Sequence, residues 1–244
     1  MQQTLFRIKA NQKIASSVFR MELEGDTKDI SKPGQFVNIR LNWLFLRRPI
    51  SVCDLEGNTL TIINKAVGEG TELMSSMAEG TKLDILTGLG NGYDTDLSGD
   101  EPLLLGGGVG IPPLYLLAKR LLAEGKKVTA VLGFNTKDEI FYENEFRKLG
   151  AETIVTTADG SYGVKGFVTD AIPAGYSHFY ACGPEAMLKA VFKCTKTSGQ
   201  LSFERRMGCG FGACMGCSCR TVTGYKRICK EGPVMMKEDI LWED

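Results

Sequence analysis

Cys209, Cys214 and Cys217 stand in the spacing C-x4-C-x2-C, and Cys229 follows at a distance. That order of thiolates holds a [2Fe-2S] cluster, so this stretch must wrap around an inorganic centre rather than run as an ordinary helix or strand. Gly208, Gly210, Gly212 and Gly216 lie beside the sulfurs. There they let the backbone close in and turn successive N–H groups toward a negative charge. One-electron chemistry is the leading implication. A four-thiolate zinc site is the alternative, but it is usually built from two separated C-x2-C knuckles, and this segment has one such pair.

A disulfide framework is disfavoured, because the sequence begins Met-Gln-Gln-Thr-Leu-Phe-Arg and lacks the basic, apolar and small-residue zones of a secretion signal. A cytoplasmic location is expected, where free thiols and a cluster both survive. The chain has 244 residues, 43% apolar and 24% charged, enough for two compact domains and a smaller module. Twenty-nine basic residues balance twenty-nine acidic ones, which gives no global electrostatic case for nucleic acid or an anionic membrane. No apolar run reaches the length of a bilayer span, and no repeat or low-complexity tract is present.

Residues 1–100 read as antiparallel strands. Phe19, Met21 and Leu23 alternate with Arg20, Glu22 and Glu24; Val37, Ile39 and Leu41 alternate with Asn38 and Arg40; Leu60 and Ile62 repeat the period. Lys32-Pro33-Gly34 and Glu56-Gly57-Asn58 supply turns. A β-barrel or sandwich is expected, with a short helix over 71–78.

Residues 101–200 change to strand, glycine turn, helix. Leu103–Leu105 is a buried strand, Gly106, Gly107, Gly108, Val109 and Gly110 form a turn, and Pro112-Pro113 starts a helix that carries Leu114, Leu117 and Leu121 on one face. Further strands are predicted over 128–134, 152–156 and 178–182, with helices over 141–149, 167–172 and 185–197. Alternating β and α elements imply a parallel sheet wrapped by helices. Residues 201–244 form the cysteine module and a tail rich in Met and acidic residues.

A glycine turn between a parallel strand and a helix exposes N–H groups at the positive helix end, which suits a dinucleotide diphosphate. The run 106–110 departs from G-x-G-x-x-G, and tight strand-to-helix packing explains it equally well in isolation. Cys182-Gly183-Pro184 is a second such turn at a strand's carboxyl end. In the barrel, Arg48 could reach a diphosphate while Ser51 and nearby backbone address a flat ring; the alternative is that Arg47 and Arg48 are a solvated edge. Gly70 and Thr71 begin a helix and again offer amides.

Arg48-Pro-Ile-Ser51, Gly70-Thr71, Gly106-Gly-Gly-Val-Gly-Ile-Pro112 and Cys182-Gly-Pro184 resemble the ordered motifs of the ferredoxin reductase-like flavoproteins, which pair an FAD barrel with an NAD(P) domain. With Asp159-Gly-Ser-Tyr-Gly163, Gly166-Phe-Val-Thr169, Glu204-Arg-Arg-Met207 and the cysteines, the whole chain resembles the electron transfer subunits of class B dihydroorotate dehydrogenases. The resemblance implies FAD against Arg48, Pro49, Ile50, Ser51, Lys65, Ala66, Val67, Gly70 and Thr71. It places NAD against Gly106, Gly107, Gly108 and Gly110, with nicotinamide near Cys182 and Gly183, and the cluster on Cys209, Cys214, Cys217 and Cys229. Cys219 is then a spare thiol or a substitute ligand. An FMN-containing catalytic subunit that oxidises dihydroorotate to orotate is the implied partner, in a heterotetramer. Related systems keep the same cofactors: bifurcating ferredoxin:NADP, sulfide, sulfite and hydrogenase oxidoreductases. The bifurcating relative typically has an aspartate among its cluster ligands, and this chain has four cysteines.

Asn135-Thr-Lys-Asp138 lacks an arginine suited to a 2′-phosphate, which favours NAD over NADP. His178, the only histidine, opens a buried strand and is expected to be structural. No acid/base pair accompanies a substrate motif, so carbon-acid chemistry is assigned to the partner. Cys53 and Cys194 are expected in the core. Met207, Met215, Met235 and Met236 are either packing or an adaptable partner surface.

Overall fold

The computed structural model describes residues 1–242; the last acidic residues of the tail, 243 and 244, lie outside them. The first strands are β1 (Gln2–Ala15), β2 (Val18–Glu24), β3 (Phe36–Ile39), β4 (Arg48–Glu56) and β5 (Thr59–Lys65). Helix α1 (Glu69–Ser75) precedes β6 (Lys82–Leu89). The six strands close into an antiparallel barrel in the order β1-β2-β5-β4-β3-β6. Inward positions alternate with outward ones, so Phe6, Ile8, Met21, Leu23, Val37 and Ile39 fill the interior. The turns at Gly34 and Gly57 take left-handed φ of 86° and 58°, as glycine permits.

The second half begins with β7 (Leu103–Gly107), α2 (Pro112–Ala123), β8 (Thr129–Phe134), α3 (Glu143–Leu149), β9 (Glu152–Thr157) and β10 (Val164–Lys165). It continues through β11 (Phe179–Cys182), α4 (Glu185–Cys194) and β12 (Gly199–Ser202). A hairpin of β13 (Ser218–Thr221) and β14 (Gly224–Arg227) follows, then β15 (Val234–Met236). The sheet order is β10-β9-β8-β7-β11-β12-β15, parallel except where β15 runs antiparallel to β12. The chain winds one way from β7 to β10 and the other way from β11 to β12, so β7 and β11 flank the switch point.

Several elements differ from expectation for local reasons. Tyr142 takes a left-handed φ of 65°, so α3 starts at Glu143 and not at Phe141. The segment predicted as helix over 167–172 is a 3-10 turn, Val168–Ala171, closed by the Asp170 carboxylate accepting the Phe167 amide at 2.7 Å. The first short helix begins earlier, at Glu69, and α4 ends at Cys194. Cys194 is therefore a terminal, exposed residue, against the expectation of burial, whereas Cys53 is fully buried.

The two halves are braced together. Lys119 on α2 pairs with Asp54 at 2.9 Å and Glu56 at 3.2 Å on β4. Arg20 on β2 donates to the Tyr142 hydroxyl at 3.3 Å, and the hydroxyl of Tyr93, in the connection between the halves, donates to the Ala181 carbonyl at 3.1 Å.

Candidate functional site

The barrel segment predicted to hold a flavin lies along the start of β4, where Arg48, Pro49, Ile50 and Ser51 pair with Ile39, Asn38, Val37 and Phe36. The adjacent arginines have different fates. Arg47 is mostly buried, pairs with Asp84 at 3.0 Å and donates to the carbonyls of Asp84 and Asn38 at 3.0 and 3.3 Å. Arg48 has no carboxylate partner among the described residues. Its guanidinium lies against Gly70, where any Cβ would strike it. This brings Arg48 to the first turn of α1, a cation and free amides on one surface, as a diphosphate requires. Thr71 closes that turn, its hydroxyl accepting the Val67 and Gly68 amides at 3.0 and 3.3 Å.

Lys65 ends β5 beside this turn, Ala66 follows it, and Val67 is 75% exposed. The Ala66 amide donates to the Ser17 carbonyl at 2.8 Å. Lys65 reaches across to Glu139 at 3.0 Å, and the same carboxylate accepts the Asn135 backbone amide at 3.1 Å. One side chain thus links the barrel to the loop after β8. Asn64, next to Lys65, is buried with its Oδ1 unpartnered. A cation held only by the Leu46 carbonyl, an exposed valine and an unmatched acceptor together fit a bound flavin nucleotide.

The two glycine turns meet at the sheet's switch point. Cys182 pairs with Gly106 across β7 and β11, and a Cβ on Gly110 would overlap the Cys182 carbonyl and come to 2.6 Å from the Gly183 nitrogen. Gly106 is equally confined, with Ile111 2.8 Å from its missing Cβ, while Gly108 faces open space at a left-handed φ of 51°. Both turns open at the carboxyl edge, where ligands of such sheets bind. Cys182 is half-buried, and its thiol is pushed up to about 12, by desolvation first and against a hydrogen bond from Ser202. It is a neutral group, not a thiolate nucleophile.

The four predicted ligand cysteines fall into two pairs. Cys209 and Cys214 each turn a backbone amide to the other's sulfur, and Cys229 turns its amide to the Cys217 sulfur. Among the described residues, no three His, Cys, Asp or Glu side chains come together closely enough to hold one metal ion. Two thiolates for each of two irons is the arrangement a [2Fe-2S] cluster uses. Backbone amides already face these sulfurs: Ala213 donates to Cys209 Sγ at 3.3 Å, Gly216 to Cys214 Sγ at 3.5 Å and Cys229 to Cys217 Sγ at 3.4 Å. Burial opposes the Cys209 thiolate, yet hydrogen bonds from the Phe211 amide, the Cys214 amide and thiol and the Ala213 amide outweigh it and hold Cys209 down to about 6. Cys219 belongs to neither pair, and its Sγ lies 4.0 Å from Met235 Sδ.

Sequence reasoning missed the residues that hold the module. Arg227 donates to the Gly212 carbonyl at 2.6 Å and binds the Glu231 carboxylate, so it clasps the cysteine loop from behind. An arginine and a glutamate four apart around Cys229 were the available signal. Asn38 donates to the Cys209 carbonyl at 3.2 Å, and no local pattern announces that contact. Of the methionines, Met235 is core and Met215 is 53% exposed. His178 is 4% exposed, edge-on to Tyr180 at 4.9 Å, with Nε2 unpartnered and its pKa lowered by burial, as a structural residue would be. A polar cleft of about 770 Å³, lined by Arg20, Asp54, Tyr142 and Glu143, contains none of the predicted site residues.

A closed antiparallel barrel, a parallel sheet with glycine turns at its switch point and a paired-thiolate module define an oxidoreductase of the ferredoxin reductase-like class. Residues 104–193 match a family profile described as an oxidoreductase NAD-binding domain, and residues 204–241 match the iron-sulfur cluster binding domain of dihydroorotate dehydrogenase B. The chain is 44% identical over 250 residues to the dihydroorotate dehydrogenase B (NAD(+)) electron transfer subunit of Fusobacterium nucleatum subsp. nucleatum, covering 96% of each. It is 42% identical to that of a Geobacillus species over 256 residues, covering 99% of each. A chain of the NADH-dependent reduced ferredoxin-NADP oxidoreductase structure superposes with TM-score 0.88 at 32% identity, over 97% of this chain and 90% of that one. The ferredoxin NADP+ reductase of Neisseria gonorrhoeae, TM-score 0.68 at 16% identity over 80% of this chain and 90% of that one, shares the fold alone. This chain belongs to the family of electron transfer subunits of dihydroorotate dehydrogenase B (NAD(+)).

Proposed function

We propose that the chain is the nicotinamide-side subunit of a dihydroorotate dehydrogenase, relaying electrons from the FMN of a catalytic subunit through a [2Fe-2S] centre and FAD to NAD+ in pyrimidine (UMP) synthesis. The observation that carries this is the pairing of the four cysteines through amide-to-sulfur contacts on a module packed against β3, the strand beside Arg48–Ser51. Bound FAD supplies the conversion between single-electron and hydride chemistry that NAD and a cluster cannot exchange directly.

The protein's own part is binding, orientation and exclusion. Arg48, with amides near Gly70 and Thr71, neutralises the flavin diphosphate. Pro49, Ile50 and Ser51 on one side and Lys65, Ala66 and Val67 on the other line the ring. The turn at Gly106, Gly107, Gly108 and Gly110 receives the dinucleotide phosphates, and Cys182 and Gly183 seat the nicotinamide. Cys209, Cys214, Cys217 and Cys229 hold the cluster.

Oxidation of dihydroorotate is the partner's task, since His178 is buried among aromatic rings and the Cys182 thiol keeps its proton. Exposed apolar side chains support docking: Phe211 and Met215 on the cysteine loop, and Trp43 and Phe45, both fully exposed, on the connection leaving β3. The assembly is a heterotetramer with two copies of each subunit. It works in the cytoplasm; among the described residues no helix is long and apolar enough to cross a membrane.

The likeness to the ferredoxin-NADP oxidoreductase chain favours a second reading, a flavin subunit of a bifurcating enzyme. Steady-state assays separate the two. The isolated chain should pass electrons from NADH to artificial acceptors without oxidising dihydroorotate, and adding the FMN subunit should create dihydroorotate-dependent NAD+ reduction. Dihydroorotate turnover by the isolated chain, or full coupling without iron, would refute the proposal.

A further inference from the structure

Asn38 lies where two of the proposed cofactor sites meet, and only 1% of its surface is exposed. It faces outward from the barrel, because its strand neighbours Val37 and Ile39 fill the interior. Its Nδ2 donates to the Cys209 carbonyl at 3.2 Å. Gly210, at a left-handed φ of 78°, packs directly on the same amide and has no room for a Cβ. The Asn38 backbone pairs with Pro49, and its carbonyl accepts from Arg47 at 3.3 Å. Phe36, two residues earlier on the same strand, belongs to the same hydrophobic cluster as Cys217 and Cys229.

Stability does not account for an asparagine here. Its Oδ1 is buried without a protein donor, and an unmatched buried acceptor costs free energy that a leucine of similar size would not. What the amide provides is direction: it fixes the carbonyl of one cysteine to the strand that carries Pro49. Hydrophobic packing alone would let the loop slide.

We propose that Asn38 is a positioning residue that sets the separation between the cysteine loop and the flavin strand, and through it the rate of electron passage between them. A bound cluster and flavin would exchange a single electron, lost by one and gained by the other with no bond broken, so geometry and potential would govern the rate. The proposal rests on the assignment of Cys209 to the cluster and of the Pro49 segment to the flavin.

The test uses the full chain loaded with iron-sulfur and FAD, in unmodified form and as Asn38→Leu, Asn38→Asp and Asn91→Leu. Asn91 is the comparator because its side chain also holds the module, donating to the carbonyls of Glu231 at 3.0 Å and Val234 at 2.7 Å. Iron and flavin content and melting temperature are measured first. The cluster is then reduced by flash photolysis, and flavin absorbance is followed as the cluster reoxidises. Both Asn38 variants should slow this step about tenfold, as misplacement of reacting groups does, and should alter the EPR spectrum of the reduced cluster, while Asn91→Leu changes neither. Asn38→Asp keeps the shape without the donor, so it carries the comparison if the leucine variant folds poorly. Unchanged rate and EPR spectrum in Asn38 variants with full iron and flavin would overturn the proposal and leave the site assignments standing. Equal slowing in Asn91→Leu would also overturn it, because loosening anywhere would then suffice. An unmodified chain that takes up no iron or no flavin removes both the proposal and the assignments beneath it.

Discussion

Gly107 and Gly183 stand back to back: a Cβ on Gly183 would come to 3.2 Å from the Gly107 backbone nitrogen, and one on Gly107 would meet Met187 Sδ at 2.5 Å. The contact joins the loops that leave β7 and β11, the strands on either side of the switch point. Close backbone approach, not loop flexibility, is what these glycines supply.

Gly110→Ala should therefore separate the two turns, since its Cβ would collide with the backbone of Cys182 and not with a side chain that could move. Such overpacking costs about 1–3 kcal/mol. The expected signature is a rise in KM for NADH with flavin and iron content unchanged. An unaltered KM would place the dinucleotide elsewhere.

Arg48→Ala should release flavin, because a charge-assisted contact to a diphosphate contributes about 1.5–3 kcal/mol. Arg47→Ala should do the reverse. It loses the Asp84 ion pair and two carbonyl contacts, so its melting temperature should fall while flavin stoichiometry after gel filtration stays whole. Retention of flavin by the Arg48 variant after extensive dilution would count against its assignment.

Serine at Cys209, Cys214, Cys217 or Cys229 should abolish or severely weaken cluster binding, since a hard oxygen replaces a soft thiolate. Cys219→Ser should keep it, its sulfur being directed at Met235. Arg227→Ala should lower iron occupancy without removing any ligand, because the Gly212 carbonyl and Glu231 lose their shared partner. Iron analysis and EPR of the reduced protein decide. Full occupancy in Cys229→Ser with loss in Cys219→Ser would reassign the fourth ligand.

His178 should make the fold acid-sensitive. Burial lowers its pKa from the usual 6.5, so both states are neutral at higher pH, and as pH falls below about 6.5 the unfolded chain takes up the proton first. Stability is then lost until the pH passes the folded-state pKa. His178→Phe removes that linkage. Melting curves between about pH 7 and 5 should fall less steeply for the variant than for the parent, and parallel curves would mean that His178 is not held neutral.

Features encoded within a few residues were legible in advance. The cysteine spacing, the glycine run at 106–110 and the proline start of α2 each carry their own geometry. What needed the structure was distant in sequence. Arg47 and Arg48 are alike in one dimension, and only Asp84 on β6 separates a buried brace from a free cation. Asn38 and Cys209 are 171 positions apart. Tyr142 delays a helix through its backbone conformation, and Cys194 reads as core in sequence because the register of α4 against the sheet is not written in the helix itself. That Cys229 returns to Cys217 depends on how β13 and β14 fold back between them, which the cysteine spacing does not state.

The return of β15 to pair with β12 places the cysteine module between two adjacent strands of one sheet rather than on a free end. Cutting the chain after β12 to obtain a cluster-free protein would strip the hydrogen-bonding edge of Gln200–Ser202 and expose it to other chains. Aggregation, not a simplified reductase, is the expected product. A cluster-free form has to be made by exchanging sulfur for oxygen inside an intact polypeptide, and any lineage that loses the metal must keep the loop that once held it or rebuild the border of the sheet.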